Sequence, residues 1–219
     1  MPYAHLSALF VNCTLSRSPR PSNTQALMDR SAALLEDQGA AVESLRLVDF
    51  GVADGITPDL REEGWTEDAW PDVVWPKVRN ADILVVGTPI WLGEPSTVAR
   101  RLIERLYAMT DETNDAGQPV FYGKVGGVVV TGNEDGVKNS AKHVLYALQH
   151  LGYTIPPAAE TGWIGDIGPG PSYLDEGSGG PENEYTTRTL TTMSWNLLHL
   201  ARMLKDAGGI PAVGNVAGS

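Results

Sequence analysis

Residues 6–24, Leu-Ser-Ala-Leu-Phe-Val-Asn-Cys-Thr-Leu-Ser-Arg-Ser-Pro-Arg-Pro-Ser-Asn-Thr, join an uncharged apolar run to a hydroxyl-rich loop. The run 6–13 predicts a buried strand, and Ser22-Asn23-Thr24-Gln25 has the capping-box spacing that starts a helix. A helix N-terminus offers unpaired backbone N–H groups and a partial positive charge, and hydroxyl side chains add donors. The loop 14–24 (the first loop) therefore predicts a site for a phosphorylated ligand. A surface loop that only makes turns and a helix cap is the open alternative.

Strand and helix patterns alternate along the rest of the chain. Apolar runs predict strands at 6–13, 41–47, 82–88, 125–131 and 153–161, and helical spacing predicts helices at 24–38, 72–80, 95–109, 137–151 and 190–204. The run 82–88 is nearly continuous in apolar residues, which is typical of parallel sheets covered on both faces. We therefore expect a doubly wound, five-stranded parallel sheet in three α/β/α layers, with ligands beyond the carboxyl ends of the strands.

The composition predicts a single soluble domain that spans residues 1–219, with extended loops at 49–76 and 162–186. The 27 acidic and 16 basic residues give a formal charge of -11, which argues against nucleic acid or an anionic membrane as the main partner. Cys13 is the single cysteine, which excludes an internal disulfide and a thiolate-rich metal site. The N-terminal residues lack the pattern of a signal peptide and no apolar run is long enough to span a bilayer, so we expect a cytoplasmic protein.

Two more loops follow predicted strands at the same edge of the sheet. Residues 88–96, Thr-Pro-Ile-Trp-Leu-Gly-Glu-Pro-Ser, present an apolar Ile-Trp-Leu segment that suits a flat aromatic ligand. Residues 131–136, Thr-Gly-Asn-Glu-Asp-Gly, are small and polar and free to offer backbone N–H groups.

The three loops together resemble those of the flavodoxin-like NAD(P)H-dependent FMN reductase and quinone reductase superfamily, over nearly the whole chain. Thr88-Pro89-Ile90-Trp91 is similar to the Thr-Pro-(Ile/Val)-(Tyr/Trp) segment that lines the isoalloxazine ring in that family. The first loop is similar to the family's phosphate loop, with Thr14 in the first hydroxyl position and Ser22-Asn23-Thr24 in the last. The first loop is longer than usual, Cys13 stands where glycine is common, and the flavodoxin signature Thr-x-Thr-Gly-x-Thr is absent.

The resemblance implies an FMN-dependent enzyme that takes hydride from NADH or NADPH and passes electrons to a quinone or similar small acceptor. FMN is the implied cofactor, NAD(P)H a transient co-substrate, and a homodimer or homotetramer the implied assembly. The resemblance supplies no catalytic acid or base. The implied cofactor contacts are Thr14, Ser16, Ser22, Asn23 and Thr24 for the phosphate, Pro89, Ile90, Trp91, Leu92 and Gly93 beside the ring, and Thr131, Gly132, Asn133 and Gly136 at its pyrimidine edge.

Other interpretations stay open beside this one. Trp91 is equally consistent with a core or interface aromatic, and Trp65 and Trp70 favour packing or an interface within 49–76. His143 and His150 share a helix face but have no third ligand nearby, so a metal site is not expected. A flavodoxin-type electron carrier and a non-catalytic regulatory protein on the same fold are the alternative functions.

Overall fold

A parallel sheet forms the middle layer of the computed structural model, which describes residues 1–168 and 170–216. Its strands are β1 (Ser7–Asn12), β2 (Ala41–Arg46), β3 (Ile83–Trp91), β5 (Val125–Gly132) and β6 (Glu160–Ile164), in the order β2-β1-β3-β5-β6. A two-residue β4 (Glu94–Pro95) pairs antiparallel with the end of β3. This is the flavodoxin-like strand order, so the predicted fold is confirmed. Residue 169 of the predicted loop 162–186 and residues 217–219 of the predicted domain lie outside the described residues.

Helices cover both faces of the sheet. They are α1 (Asn23–Asp37), α2 (Trp75–Asn80), α3 (Thr97–Tyr107), α4 (Val137–Leu151) and α5 (Glu184–Asp206). Alternate residues of each strand enter opposite cores, because successive side chains of a strand point to opposite faces. Leu9 and Val11 pack with α2, α3 and α4, whereas Phe10 packs with α1 and α5.

The predicted strand 153–161 is wrong in its position, since the fifth parallel strand begins only at Glu160. Pro156 and Pro157 have no N–H to donate to a neighbouring strand, and Ala158 adopts a φ of 51°. Within this stretch Thr154 still bridges to Val125 before the chain leaves the sheet. The chain returns beside β5 once the prolines are passed.

Other boundaries also differ from the sequence prediction, and two of them have a clear physical reason. β3 runs past Thr88 to Trp91, because the chain turns back at Leu92 and pairs with β4. The last helix begins at Glu184 rather than at residue 190, since the side chain of Asn183 accepts a hydrogen bond from the Thr186 N–H at 2.9 Å and caps it.

The acidic segment 49–76 packs two of its three tryptophans into the core. Trp70 and Trp75 are buried and stacked on each other, whereas Trp65 stays half exposed. Two of these rings therefore fill the core, and the predicted interface retains only Trp65. Among the described residues, no helix has the length and apolar character that crossing a bilayer requires.

Candidate functional site

The carboxyl ends of β1, β3 and β5 open into a cavity of about 570 Å³. Residues of all three predicted loops line it, namely Thr14, Ser16, Ser22, Asn23, Thr24, Pro89, Ile90, Trp91, Thr131, Gly132 and Asn133. The lining residues that the sequence prediction missed are Leu15, Pro21, Glu134, Trp163, Ile167, Gly168, Ser172 and Tyr173. Strand topology explains the convergence, because parallel strands end at one edge of the sheet.

Leu92, Gly93 and Gly136 were expected at the ligand but lie outside the cavity lining. Leu92 and Gly93, with φ of 54° and 77°, form the turn from β3 to β4. A Cβ on Gly136 would stand 2.8 Å from the Gly93 Cα, so this glycine allows two loops to touch. These three residues shape the loops around the cavity and do not line it.

The N-terminus of α1 faces the cavity with donors available. The Ser22 Oγ accepts hydrogen bonds from the Gln25 N–H at 3.1 Å and from Asn12 Nδ2 at 3.2 Å, which leaves its own proton free to donate. Gln25 does not reach back to complete the capping box, because its Oε1 accepts from Asn12 Nδ2 at 2.9 Å. The N–H groups of Asn23 and Thr24 have no acceptor within the helix, since no turn precedes them.

Two charged side chains near the end of β2 fix the first loop. Asp49 accepts hydrogen bonds from the Ser18 N–H at 2.9 Å and from its hydroxyl at 2.7 Å, and these bonds lower the pKa of Asp49. The Arg46 guanidinium donates to the Ser16 carbonyl at 3.2 Å and to the Arg20 carbonyl at 2.8 Å. The long loop therefore has a defined path despite its length.

Thr24 and Thr131 join the first and third loops directly. Their hydroxyl oxygens lie 2.8 Å apart, and both residues are buried. One hydroxyl donates to the other, so each has a hydrogen-bond partner within the protein without a ligand. The bond holds the end of β5 against the start of α1.

Asn23 and Asn133 bind a segment at the cavity wall, residues 170–175, which we name the strap. The Asn23 Oδ1 accepts from the Leu174 N–H at 2.9 Å. The Asn133 amide donates to the Pro171 carbonyl at 2.8 Å, and its oxygen accepts from the Ser172 hydroxyl at 3.0 Å. Both side chains are therefore engaged, and their backbone groups remain for a ligand.

Trp163 and Tyr173 form an aromatic wall that the sequence prediction missed. Both are buried, and their rings meet edge to face with centroids 5.5 Å apart. Arg30 of α1 donates to the Tyr173 hydroxyl at 2.9 Å. The sequence offers one signal, because long Gly- and Pro-rich stretches such as 162–186 are commonly lids, binding loops or interface arms. Trp91, in contrast, remains 55% exposed at the cavity.

One charged side chain lines the described part of the cavity. Among the described lining residues, Glu134 is the one Asp, Glu, Lys, Arg or His. Its Oε1 accepts from the Leu92 N–H at 2.8 Å, which links the loop after β5 to the turn after β3. The donors for an anionic ligand are therefore hydroxyls and backbone N–H groups.

Cys13 and His143 both lie outside the cavity lining. Burial raises the pKa of the Cys13 thiol, which keeps it protonated and unreactive. The His143 Nδ1 lies 2.5 Å from Glu94 Oε2 on the surface. In the part of the chain that the structure describes, His, Cys, Asp and Glu form no group of three suited to a metal ion.

Comparison with known proteins identifies related flavin-binding chains. The family described as NADPH-dependent FMN reductase matches residues 10–163. The 8-demethyl-8-aminoriboflavin-5'-phosphate synthase of Streptomyces davaonensis is 39% identical over 211 residues, covering 92% of this chain and 79% of that protein. The crystal structure of RosB with bound 8-demethyl-8-formylriboflavin-5'-phosphate aligns with a TM-score of 0.84 and 39% identity over 92% of this chain and 81% of that one.

A second relative is much longer than the present chain. The divalent metal cation transporter MntH of Mycobacterium bovis is 54% identical over 200 residues, which cover 91% of this chain. The matched region is 29% of that protein, so the chain spans less than a third of its length.

Proposed function

Because the chain belongs to the NADPH-dependent FMN reductase family, we propose that it is an FMN-dependent oxidoreductase that takes electrons from NAD(P)H and passes them to a quinone or similar small acceptor. The observation that carries the proposal is the cavity, which joins the N-terminus of a helix to an exposed aromatic side chain. A flavin nucleotide has the matching parts, a phosphate at one end and a flat aromatic ring at the other.

The phosphate end fits the first loop. The hydroxyls of Thr14, Ser16 and Ser22 and the N–H groups of Asn23 and Thr24 would donate to the phosphate oxygens. The dipole of α1 adds a partial positive charge at short range. The overall charge of -11 does not oppose this, because solvent screens distant charges.

The ring end fits the segments after β3 and β5. Pro89, Ile90 and Trp91 would pack on the isoalloxazine, and the backbone around Thr131, Gly132 and Asn133 would meet its pyrimidine edge. Bound FMN supplies hydride acceptance and donation, while the protein orients the ring and excludes water. The cavity volume of about 570 Å³ lies in the usual range for cofactor pockets, roughly 300–1,000 Å³.

The test is an anaerobic reduction followed by an acceptor. Protein loaded with FMN is mixed with NADH or NADPH, and the flavin absorbance is followed before and after benzoquinone is added. We expect prompt bleaching by at least one nucleotide and recovery on adding the quinone. A bound flavin that neither nucleotide bleaches would contradict the proposal and favour the electron carrier.

A second candidate function is conversion of FMN itself, with the flavin as substrate. It is favoured by the synthase from Streptomyces davaonensis, whose name describes an amino-substituted riboflavin phosphate, at 39% identity over 92% of this chain. Mass spectrometry of the flavin recovered after turnover distinguishes the two functions. An unchanged FMN mass supports the cofactor role, whereas a changed mass supports the substrate role.

We also propose that the chain forms a homodimer or homotetramer. A groove of about 540 Å³ between α3 and α4 exposes Tyr107 and Tyr146, which supports pairing of two copies at that face. Light scattering of the purified protein tests the assembly, and a monomeric mass would contradict it.

A further inference from the structure

Among the described residues that line the cavity, the single carboxylate has a fixed orientation. Glu134 lies two residues beyond the end of β5, and the Leu92 N–H holds its Oε1 at 2.8 Å. A hydrogen bond to a backbone donor restricts the rotamers of a long side chain, so the negative charge stays in one place. The Glu134 charge is therefore a built feature of the cavity wall.

Glu134 also lies at a definite end of the cavity. Its hydrogen bond joins the turn that follows Trp91 to the loop that follows Asn133. These are the segments proposed to hold the flavin ring, whereas the phosphate is proposed to bind at the first loop. The carboxylate thus faces the ring end.

Neighbouring basic side chains do not neutralise this carboxylate in the structure. Lys138 of α4 forms an ion pair with Glu160, and His143 of the same helix pairs with Glu94. Within residues 1–168 and 170–216, Lys, Arg and His are all missing from the cavity lining. A second ligand that enters beside the flavin therefore meets a net negative potential.

We propose that Glu134 determines which second ligand the flavin-loaded cavity accepts, favouring a positively charged aromatic ring, such as a pyridinium, over a neutral or anionic ring of the same shape. This inference rests on the proposed function, since it requires FMN in the cavity. The physical reason is direct: a carboxylate beside a ring attracts a cation and repels an anion.

The test uses three small rings of one shape and different charge. N1-methylnicotinamide is cationic, nicotinamide is neutral and nicotinate is anionic, and none of them reacts with oxidised flavin. Their dissociation constants are measured on FMN-loaded protein at low ionic strength from the perturbation of the flavin absorbance. We expect the cation to bind on the order of tenfold more tightly than the anion, with the neutral ring between them.

The variant Glu134→Gln removes the charge and keeps an oxygen that accepts from the Leu92 N–H. We expect it to bind the three rings with nearly equal affinity when each dissociation constant is measured on the FMN-saturated variant. Asp135→Asn is the matched control, because Asp135 is the next residue of the same loop and does not line the cavity. The Asp135→Asn variant should bind the three rings in the same order of affinity as the wild type.

Three results would overturn the inference. The first is equal affinity of the wild type for the three rings, and the second is an unchanged order of affinities in Glu134→Gln. The third is loss of the order of affinities in Asp135→Asn. Absence of a bound flavin before any ring is added would instead contradict the proposed function, and this inference with it. Thermal midpoints of both variants close to that of the wild type show that the comparison concerns folded protein.

Discussion

At the scale of single residues, a hydroxyl expected to contact a ligand can have a partner within the protein. Thr24 and Thr131 both occupy positions that suit FMN, and their hydroxyls bond to each other at 2.8 Å in a buried place. Asn23 and Asn133 likewise bond to the strap. The residue types were predictable, whereas their partners depend on contacts between distant parts of the chain.

The Thr24–Thr131 bond is open to a double-mutant cycle. Thr131→Val keeps the shape but leaves the Thr24 hydroxyl buried without its partner, which should lower the free energy of unfolding by about 1–3 kcal/mol. The double variant with Thr24→Val should cost less than the sum of the two single changes, because no polar group is then left unpaired. Urea unfolding measures all four proteins, and strict additivity would contradict the contact.

At the scale of elements, the sequence predicted a loop where the strap lies, but it did not predict the contacts of the strap with the site. The buried position of Tyr173 depends on Arg30, which is 143 residues away in sequence. No local periodicity marks such a contact. The parallel strands and α4 were predictable, since their apolar patterns are strong, whereas β6 was misplaced because prolines precede it.

The strap should slow the exit of FMN. Tyr173→Phe removes the hydroxyl that Arg30 holds at 2.9 Å and should raise the dissociation rate constant of FMN several-fold, with a smaller effect on association. Stopped-flow recovery of FMN fluorescence measures the rate. Tyr185→Phe on the exposed start of α5 is the matched control, and an equal effect of both changes would contradict a role for the strap.

The segment 49–76 is attached to α3 by a buried ion pair. The Arg105 Nη2 donates to Asp68 at 2.7 Å with both side chains fully buried, and the guanidinium also donates to the Thr57 and Pro58 carbonyls. Asp68 in turn accepts from the Leu60 and Trp70 N–H groups, each at 3.1 Å. The pair therefore organises the backbone of the whole segment.

Removing one partner of this pair should be costly. Arg105→Met leaves the Asp68 carboxylate buried without its counter-ion, and we expect a loss of about 3–5 kcal/mol in the free energy of unfolding. Arg101 lies on the same helix as Arg105, and Arg101→Met breaks only its exposed pair with Asp54, which should cost no more than about 1 kcal/mol. Chemical denaturation compares the two variants, and similar losses would refute the proposed anchoring.

At the scale of the whole molecule, stability should respond to alkaline pH through Lys124. Burial lowers the pKa of Lys124 from 10.5 to about 8, while its ammonium donates to the Arg79 and Ala81 carbonyls. Between pH 8 and 10.5 the unfolded chain holds a proton that the folded chain has released, so this group adds stability as pH rises through that window. Below about pH 8 the folded protein carries the full cost of burying the charge.

The comparison with Lys124→Met isolates this contribution. Cys13 and Tyr153 have pKa values raised by burial and act in the opposite direction at high pH, but they are present in both proteins. We expect the difference in unfolding free energy, wild type minus variant, to increase between pH 8 and 10.5. A difference that stays flat in urea titrations across that range would show that Lys124 titrates normally.

The central claim is that the cavity at the carboxyl ends of the strands binds FMN through its phosphate and its ring. Titration of the flavin-free protein with FMN and with riboflavin, followed by quenching of flavin fluorescence, tests it most directly. We predict binding of one FMN per chain and at least about tenfold weaker binding of riboflavin, because charge-assisted hydrogen bonds contribute about 1.5–3 kcal/mol each. Equal affinity for the two flavins, or no binding of either, would contradict the account.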